Sequence, residues 1–258
     1  MIQPVQIGDC TLYCGDMLEI VPLLADDIDH VISDPPYEDE LHLGAKEQRI
    51  IRSDGRKMHG DLGFSGINAD RAKIASMLVG KAQGWLILFC LAEGVRAWRD
   101  DIQAAKGKWD TTLAWVKPDA SPRFNGQGAA RGFECAVTAW CGKGYRSWNG
   151  GGKRGVFTHS VNGKRVGKHP TEKPVDLMVE LVSLYSNMGQ TILDPFMGGG
   201  STGVACAKLK RKFIGIEQNP DHFAEACERM ACVVEQPDMF AINPEPWERA
   251  ETPSMFAE

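Results

Sequence analysis

Short apolar runs alternate along the chain with stretches of helical spacing. Residues 11–14 and 30–33 are brief strand candidates ended by turn residues, and Trp85-Leu86-Ile87-Leu88-Phe89-Cys90 is continuously apolar, the pattern of a strand buried on both faces. Between them, residues 17–24 place Met17, Ile20, Val21 and Leu24 on one helical face, and residues 69–83 also read as a helix. A helix over 92–106 carries Val95, Trp98 and Ile102 on one stripe, which reads as core. Strands are expected at 111–116 and 134–141, antiparallel because only a short link containing Gly and Pro, residues 118–132, joins them. A helix follows from His169 to about Met188, with Thr171 as its N-cap, Pro174 in its first turn, and Leu177, Met178, Leu181, Val182 and Leu184 as its apolar face. Strands at 191–193 and 213–217 flank a helix over 204–209. This alternation is that of an α/β fold.

Two stretches lack buried periodicity. Residues 38–66 carry Lys46, Arg49, Arg52, Arg56 and Lys57 among glycines, and read as a loop insertion beside the site, a lid or nucleic-acid-contacting loop in preference to a plain solvated one. Residues 142–168 combine Gly150-Gly151-Gly152, Lys153-Arg154, Lys164-Arg165 and Trp148, a composition suited to phosphate contact and stacking, with a solvated surface loop as the alternative.

At 258 residues the chain suffices for one large core, so a single domain over 1–258 is expected. No basic-apolar leader and no apolar run of membrane-spanning length is present, which predicts a soluble, cytoplasmic protein with no membrane partner. The eight cysteines form no CxxC pair and most sit in apolar runs, so buried free thiols are expected; Cys10, Cys14 and His30 are a weak metal set, and no metal is expected. The net charge of −5 argues against a polyanion partner until its distribution is considered. From Glu217 onward ten acids and two basic residues give −8, leaving +3 on residues 1–216, and residues 142–173 hold eight Lys or Arg against one acid. A local basic stripe is what backbone phosphates respond to. The tail, 236–258, is rich in Pro and Glu and is expected to be mobile or to pack as an extended strap.

The chemistry concentrates in two stretches. Ser33-Asp34-Pro35-Pro36-Tyr37 closes a strand with one carboxylate, a rigid proline pair and an aromatic ring. On an exocyclic nucleobase amine, the Asp34 carboxylate and the Pro35 carbonyl would accept the two N–H groups and draw the nitrogen toward a more nucleophilic form, with Tyr37 stacking on the base. The prolines offer no competing N–H, although Asp-Pro-Pro is also ordinary turn chemistry. The second stretch, Asp194-Pro195-Phe196-Met197-Gly198-Gly199-Gly200-Ser201-Thr202-Gly203, lies between a strand and a helix, and the next strand ends in Glu217. That is the form of a nucleotide-binding βαβ unit, with Glu217 placed for ribose hydroxyls. The glycine spacing differs from the dinucleotide fingerprint, and S-adenosylmethionine fits better, its carboxylate meeting the helix end and Lys173. Asp16 and Asp34 end successive strands, which in an open parallel sheet share one ligand-binding edge.

With Asp34 to Tyr37, His169-Pro170-Thr171-Glu172-Lys173-Pro174, Asp194 to Gly200 and Gly215-Ile216-Glu217 in this order, the chain resembles the β group of DNA amino-methyltransferases, which methylate adenine N6 or cytosine N4. The resemblance covers nearly the whole chain and implies a doubly wound, mostly parallel seven-stranded Rossmann-like sheet of order 3-2-1-4-5-7-6 with one antiparallel strand, circularly permuted so that the strand at Thr191 is spatially first. It implies Asp34, Pro35, Pro36 and Tyr37 as catalytic residues. It implies Asp16, His169, Thr171, Lys173, Asp194, Phe196, Gly198, Gly200, Ser201, Thr202 and Glu217 as the S-adenosylmethionine site, Asp16 toward the adenine. Lys117, Arg123, Lys153, Arg154, Lys164, Arg165 and Lys168 are candidate contacts to double-stranded DNA, with 142–168 as the target-recognition insertion. Gly199-Gly200-Ser201-Thr202 departs from the usual Ser-Gly-Thr-Thr, and a recognition region this short suggests a short or relaxed target. Asp before Pro-Pro-Tyr goes mostly with adenine in this family, so N6-adenine is preferred over N4-cytosine. RNA, a protein glutamine, and a DNA-binding module without catalysis are the other readings, and a homodimer stays open as an assembly.

Overall fold

The computed structural model describes residues 3–36, 67–123, 126–161 and 172–235. The insertion at 38–66, Tyr37, Lys164, Arg165, Lys168, His169, Thr171 and the tail from 236 lie outside the described residues. In chain order the strands are β1 (Val5–Ile7), β2 (Cys10–Cys14), β3 (His30–Ser33), β4 (Trp85–Cys90), β5 (Lys108–Val116), β6 (Phe133–Trp140), β7 (Val156–Thr158), β8 (Thr191–Asp194) and β9 (Lys212–Glu217). The helices are α1 (Met17–Ile20), α2 (Arg71–Lys81), α3 (Val95–Ala104), α4 (Val175–Tyr185), α5 (Ser201–Lys208) and α6 (Pro220–Glu235).

The strands form one sheet in the order β1-β2-β9-β8-β3-β4-β6-β5-β7. β2, β9, β8, β3 and β4 are mutually parallel, while β6 runs antiparallel to both β4 and β5. With β8 counted first, the seven inner strands read 3-2-1-4-5-7-6. The sheet differs from a seven-stranded expectation by its two edges: β1 adds antiparallel to β2, and β7 adds parallel to β5. Each edge strand has only three residues, too few for a period to show in the sequence.

Alternate side chains of the central strands enter two different cores, which is why their sequences are apolar throughout. Ile32, Trp85, Ile87, Phe89 and Ile192 pack with Leu177, Leu181, Val204 and Met230 of α4, α5 and α6. Val31, Leu86, Leu88, Cys90 and Leu193 pack with Met17, Ile74, Leu78, Trp98 and Ile102 of α1, α2 and α3. Burying each such side chain contributes about 1.5–3 kcal/mol. All eight cysteines are free, but only Cys10, Cys90, Cys135 and Cys206 are buried. Among the described residues no helix is long and apolar enough to cross a membrane, and no group of three or more His, Cys, Asp or Glu is placed to hold a metal.

Helix ends depart from the sequence expectation for identifiable reasons. α1 stops at Ile20 and continues as a 3-10 turn over Val21–Leu23, where Pro22 supplies no N–H for an α-type bond. The N-cap of α4 is Pro174, not Thr171, and the helix ends at Tyr185 instead of near Met188. Ser186 is extended there, its hydroxyl donating to the Val182 carbonyl (2.5 Å) and its carbonyl accepting from Arg211 and Asn149. α5 begins at Ser201, three residues earlier than expected, because Gly200 takes a left-handed conformation (φ 79°) and turns the chain directly into it.

His30 fastens the amino edge of the sheet. Its Nδ1 accepts the Trp85 N–H (2.9 Å), so Nε2 carries the proton and donates to Gln190 Oε1 (3.1 Å). A Cβ on Gly84 would stand 2.6 Å from the ring, so a glycine is required beside it. Burial holds the His30 pKa below its ordinary 6.5, against the Gln190 bond and the Asp29 charge. Because the folded value is the lower one, the unfolded chain takes up the proton first: the contribution is complete above the unfolded value and falls away as pH drops below it. The stability advantage of wild type over His30→Asn is therefore expected to shrink between about pH 7.5 and about pH 5.5 in urea titrations, and a constant advantage would refute the neutral tautomer.

Candidate active site

Because five neighbouring strands point the same way, their carboxyl ends share one rim. Asp16 follows β2, Glu217 ends β9, Asp194 ends β8 and Asp34 follows β3. β5 delivers Lys117 to the same rim, and the antiparallel β6 starts there with Phe133 and Glu134. The Asp-Pro-Pro turn and the glycine-rich turn thus converge: Ser33 Oγ donates to Asp194 Oδ1 at 2.5 Å across 161 residues of sequence.

Asp34 divides its two oxygens. Oδ2 is held by the Lys173 ammonium, whereas Oδ1 is buried and has no hydrogen-bond partner among the described residues. Burial pushes the Asp34 pKa up; Lys173 draws it down, Glu134 adds to the rise, and Lys117 opposes it more weakly. Lys173 is 7% exposed, lies over the Phe89 ring (5.0 Å to its centroid) and reaches Glu134 Oε2 at 3.3 Å. Lys173, expected at a cofactor carboxylate, is paired here with Asp34. Lys117, expected on DNA, pairs with Glu134 Oε1 and lies 4.4 Å from the Trp115 ring centroid.

The glycine-rich turn is shaped from within. Asp194 Oδ1 accepts from Ser33 and from the Phe196 N–H (3.1 Å), and Oδ2 accepts from Thr202 Oγ1 (2.6 Å). Burial lifts the Asp194 pKa to about 6 against these three bonds. Asp194 and Thr202 therefore face each other, fastening β8 to the first turn of α5. Ser201 Oγ donates to Glu172 Oε1 (2.9 Å). Gly198 has φ 49°, and a Cβ there would meet nothing within 4 Å among the described residues, so none of them covers its outer face. The Glu217 carboxylate accepts from Gly198 N–H (3.0 Å) and Asn219 N–H (2.7 Å), which sets its direction at the turn. A Cβ on Gly215 would stand 2.4 Å from Met197 Sδ inside that turn. Asp16 accepts from the Leu18 N–H (2.8 Å) as the N-cap of α1, and the Gly15 N–H donates to the Glu217 carbonyl (2.9 Å), which ties the β2 turn to β9.

The described part of the segment expected to be the target-recognition insertion, residues 142–161, lies elsewhere at its start. Trp148 packs edge-on against Tyr185, and Tyr185 against Trp85, the first residue of β4. Asn149 bonds to the Leu184, Ser183 and Ser186 carbonyls at the end of α4. Trp148 thus belongs to the amino-end rim, opposite Asp34, and is a packing residue there. Lys153 pairs with Glu180 (2.7 Å), Arg154 is exposed just before β7, and Arg123 is exposed after β5.

Sequence reasoning missed Glu134, Glu172 and Arg229. The Glu172 and Arg229 side chains, each 5% exposed, form a buried ion pair, and Arg229 Nη1 donates to the Gly199 carbonyl (2.8 Å). α6 had no assigned element in the sequence, so nothing there pointed to Arg229. Glu134 was visible as an acid at the start of a strand expected to be antiparallel, which alone puts it at the rim where parallel neighbours end.

The family model described as DNA methylase, of N6 and N4 methyltransferases, matches residues 28–228. Type II methyltransferase M2.DpnII of Streptococcus pneumoniae is 41% identical over 76 residues, a stretch covering 30% of this chain and only 28% of that protein. Type II methyltransferase M.Cfr9I of Citrobacter freundii is 23% identical over 270 residues, covering 88% of this chain and 90% of its own. The crystal structure of an M1.HpyAVI-SAM complex superposes with a TM-score of 0.69 at 25% identity, over 86% of this chain and 98% of that one.

Proposed function

Since the chain belongs to the DNA methylase family, its match spanning residues 28–228, we propose that it transfers a methyl group from S-adenosylmethionine to the exocyclic N6 of adenine in double-stranded DNA. The observation that carries this reading is the divided Asp34 carboxylate: one oxygen is fixed by Lys173, and the other is buried and unpartnered at the rim beside the glycine-rich turn. An acceptor held ready in this way suits an amine N–H.

The residues present fit the cofactor. The open face of Gly198 admits a ligand against the backbone, and the Glu217 carboxylate, oriented by two amides, retains lone pairs for ribose hydroxyls. Gly198, Gly200, Phe196, Glu217 and Asp16 are the proposed lining, with Asp194, Ser201 and Thr202 fixing the turn beneath it. When bound, S-adenosylmethionine supplies a methyl already activated on a sulfonium, so the amine nitrogen forms the C–N bond while sulfur keeps the C–S pair. Asp34 Oδ1 and the Pro35 carbonyl accept the two amine N–H groups, and the nitrogen's surplus proton leaves toward Asp34 and from there to solvent. No protein nucleophile is involved. The base is turned out of the duplex to reach the rim, as base-modifying chemistry requires. The circular permutation belongs to the same reading, with the glycine-rich half of the site read from the second half of the chain.

Incubating the protein with DNA and S-adenosylmethionine, followed by nuclease digestion and mass analysis, is expected to yield N6-methyladenine. N4-methylcytosine alone would keep the reaction class and correct the base, whereas an unmethylated digest would reject the function.

A further inference from the structure

We infer that Glu134 is a positioning residue for the Asp34 carboxylate, acting through Lys173, with Lys117 as the outer member of the same charge chain. This rests on the methyl-transfer reading above and deepens it. Four groups of alternating sign, Asp34, Lys173, Glu134 and Lys117, come from four separate segments: the turn after β3, the approach to α4, the start of β6 and the end of β5. The two lysines sit against aromatic rings, Lys173 over Phe89 and Lys117 over Trp115.

A lysine as buried as Lys173 requires compensation. Were Asp34 its sole counter-ion, the ammonium would draw the carboxylate onto itself and weaken Oδ1 as an acceptor for substrate. Glu134 at 3.3 Å shares the ammonium, so one contact suffices at Asp34 and Oδ1 stays off the lysine. Lys117 takes the other Glu134 oxygen and holds that side chain, 12% exposed, in place. The charged groups facing Asp34 from the described elements are these three and Asp194 across the Ser33 bridge.

The test uses the full chain in single-turnover methyl transfer to DNA, with the rate followed between about pH 5 and about pH 9, where the acid limb reports ionisation of the essential carboxylate. Glu134→Gln is expected to lower the plateau rate about tenfold and to move the acid limb to lower pH, because a negative neighbour of Asp34 is gone. Lys117→Gln is expected to move it the opposite way. Glu134→Asp, which keeps the charge, is expected to return the limb toward the wild-type position; with Lys117→Gln it carries the test if Glu134→Gln does not fold. Shifts of opposite sign are a readout that packing alone does not produce. Unmoved limbs with a wild-type plateau, or limbs that move together, would overturn the inference while leaving methyl transfer intact. Absence of methyl transfer by the wild-type protein would instead reject the reading on which it rests.

Discussion

Asp34→Ala is expected to reduce single-turnover methyl transfer about 10³-fold, a loss of about 4 kcal/mol of transition-state stabilisation, while S-adenosylmethionine binding changes little. The two outcomes separate because the proposed reading places substrate at Asp34 and the cofactor at Gly198 and Glu217. Folding should survive the change. Burial already raises the Asp34 pKa, so its charge is an electrostatic burden on the fold, and Lys173 retains Glu134 as a partner after the carboxylate is removed. Asp34→Asn is expected to fall between alanine and wild type, since an amide oxygen still accepts but carries no charge. Cofactor affinity by calorimetry, melting temperature and rate, measured on the same preparations, check all three expectations. An alanine variant with wild-type rate would remove Asp34 from the chemistry; one that loses cofactor binding equally would make it a structural residue.

The sequence exposed this site because the features that build it are local. A proline pair restricts its own backbone, a glycine turn declares its own conformation, and a run such as residues 85–90 is apolar on both faces because both faces are covered. Each signal lies within a few residues, and the fold joins their ends at one rim. The parts that were not legible depend on distant pairings. Lys173 stands out in the sequence as a cation of the motif before α4, but its pairing with Asp34, 139 residues away in sequence, follows from where α4 docks. Trp148 carries the composition of a stacking residue, yet the Tyr185 ring and the Asn149 anchor place it on the opposite rim. The pairing of basic residues is hidden for a related reason: Lys117 and Lys153 each have an acid partner supplied by another element, and charge composition does not reveal pairing.

The Glu172–Arg229 pair ties the glycine-rich turn to α6, and breaking it is expected to be the most destabilising single change at the site. Both side chains are 5% exposed, and Glu172 Oε2 and Arg229 Nε have no hydrogen-bond partner among the described residues, so each ion depends on the other. Arg229→Met would leave the Glu172 charge buried with the Ser201 hydroxyl as its shown donor, at a cost of about 3–5 kcal/mol, or about 10 °C in melting temperature. It would also release the Gly199 carbonyl, so cofactor affinity is expected to fall with stability. The double variant Glu172→Leu with Arg229→Met removes both charges and is expected to regain most of the lost stability, since a buried pair replaced by apolar groups of similar volume is often neutral. It should not regain cofactor affinity, because neither the carbonyl clamp nor the Ser201 acceptor returns. Melting curves with calorimetric binding of S-adenosylmethionine distinguish these effects. Recovery of affinity along with stability would show that the pair acts on the turn only through overall folding, and an unchanged melting temperature in Arg229→Met would show that Glu172 is not held as an ion.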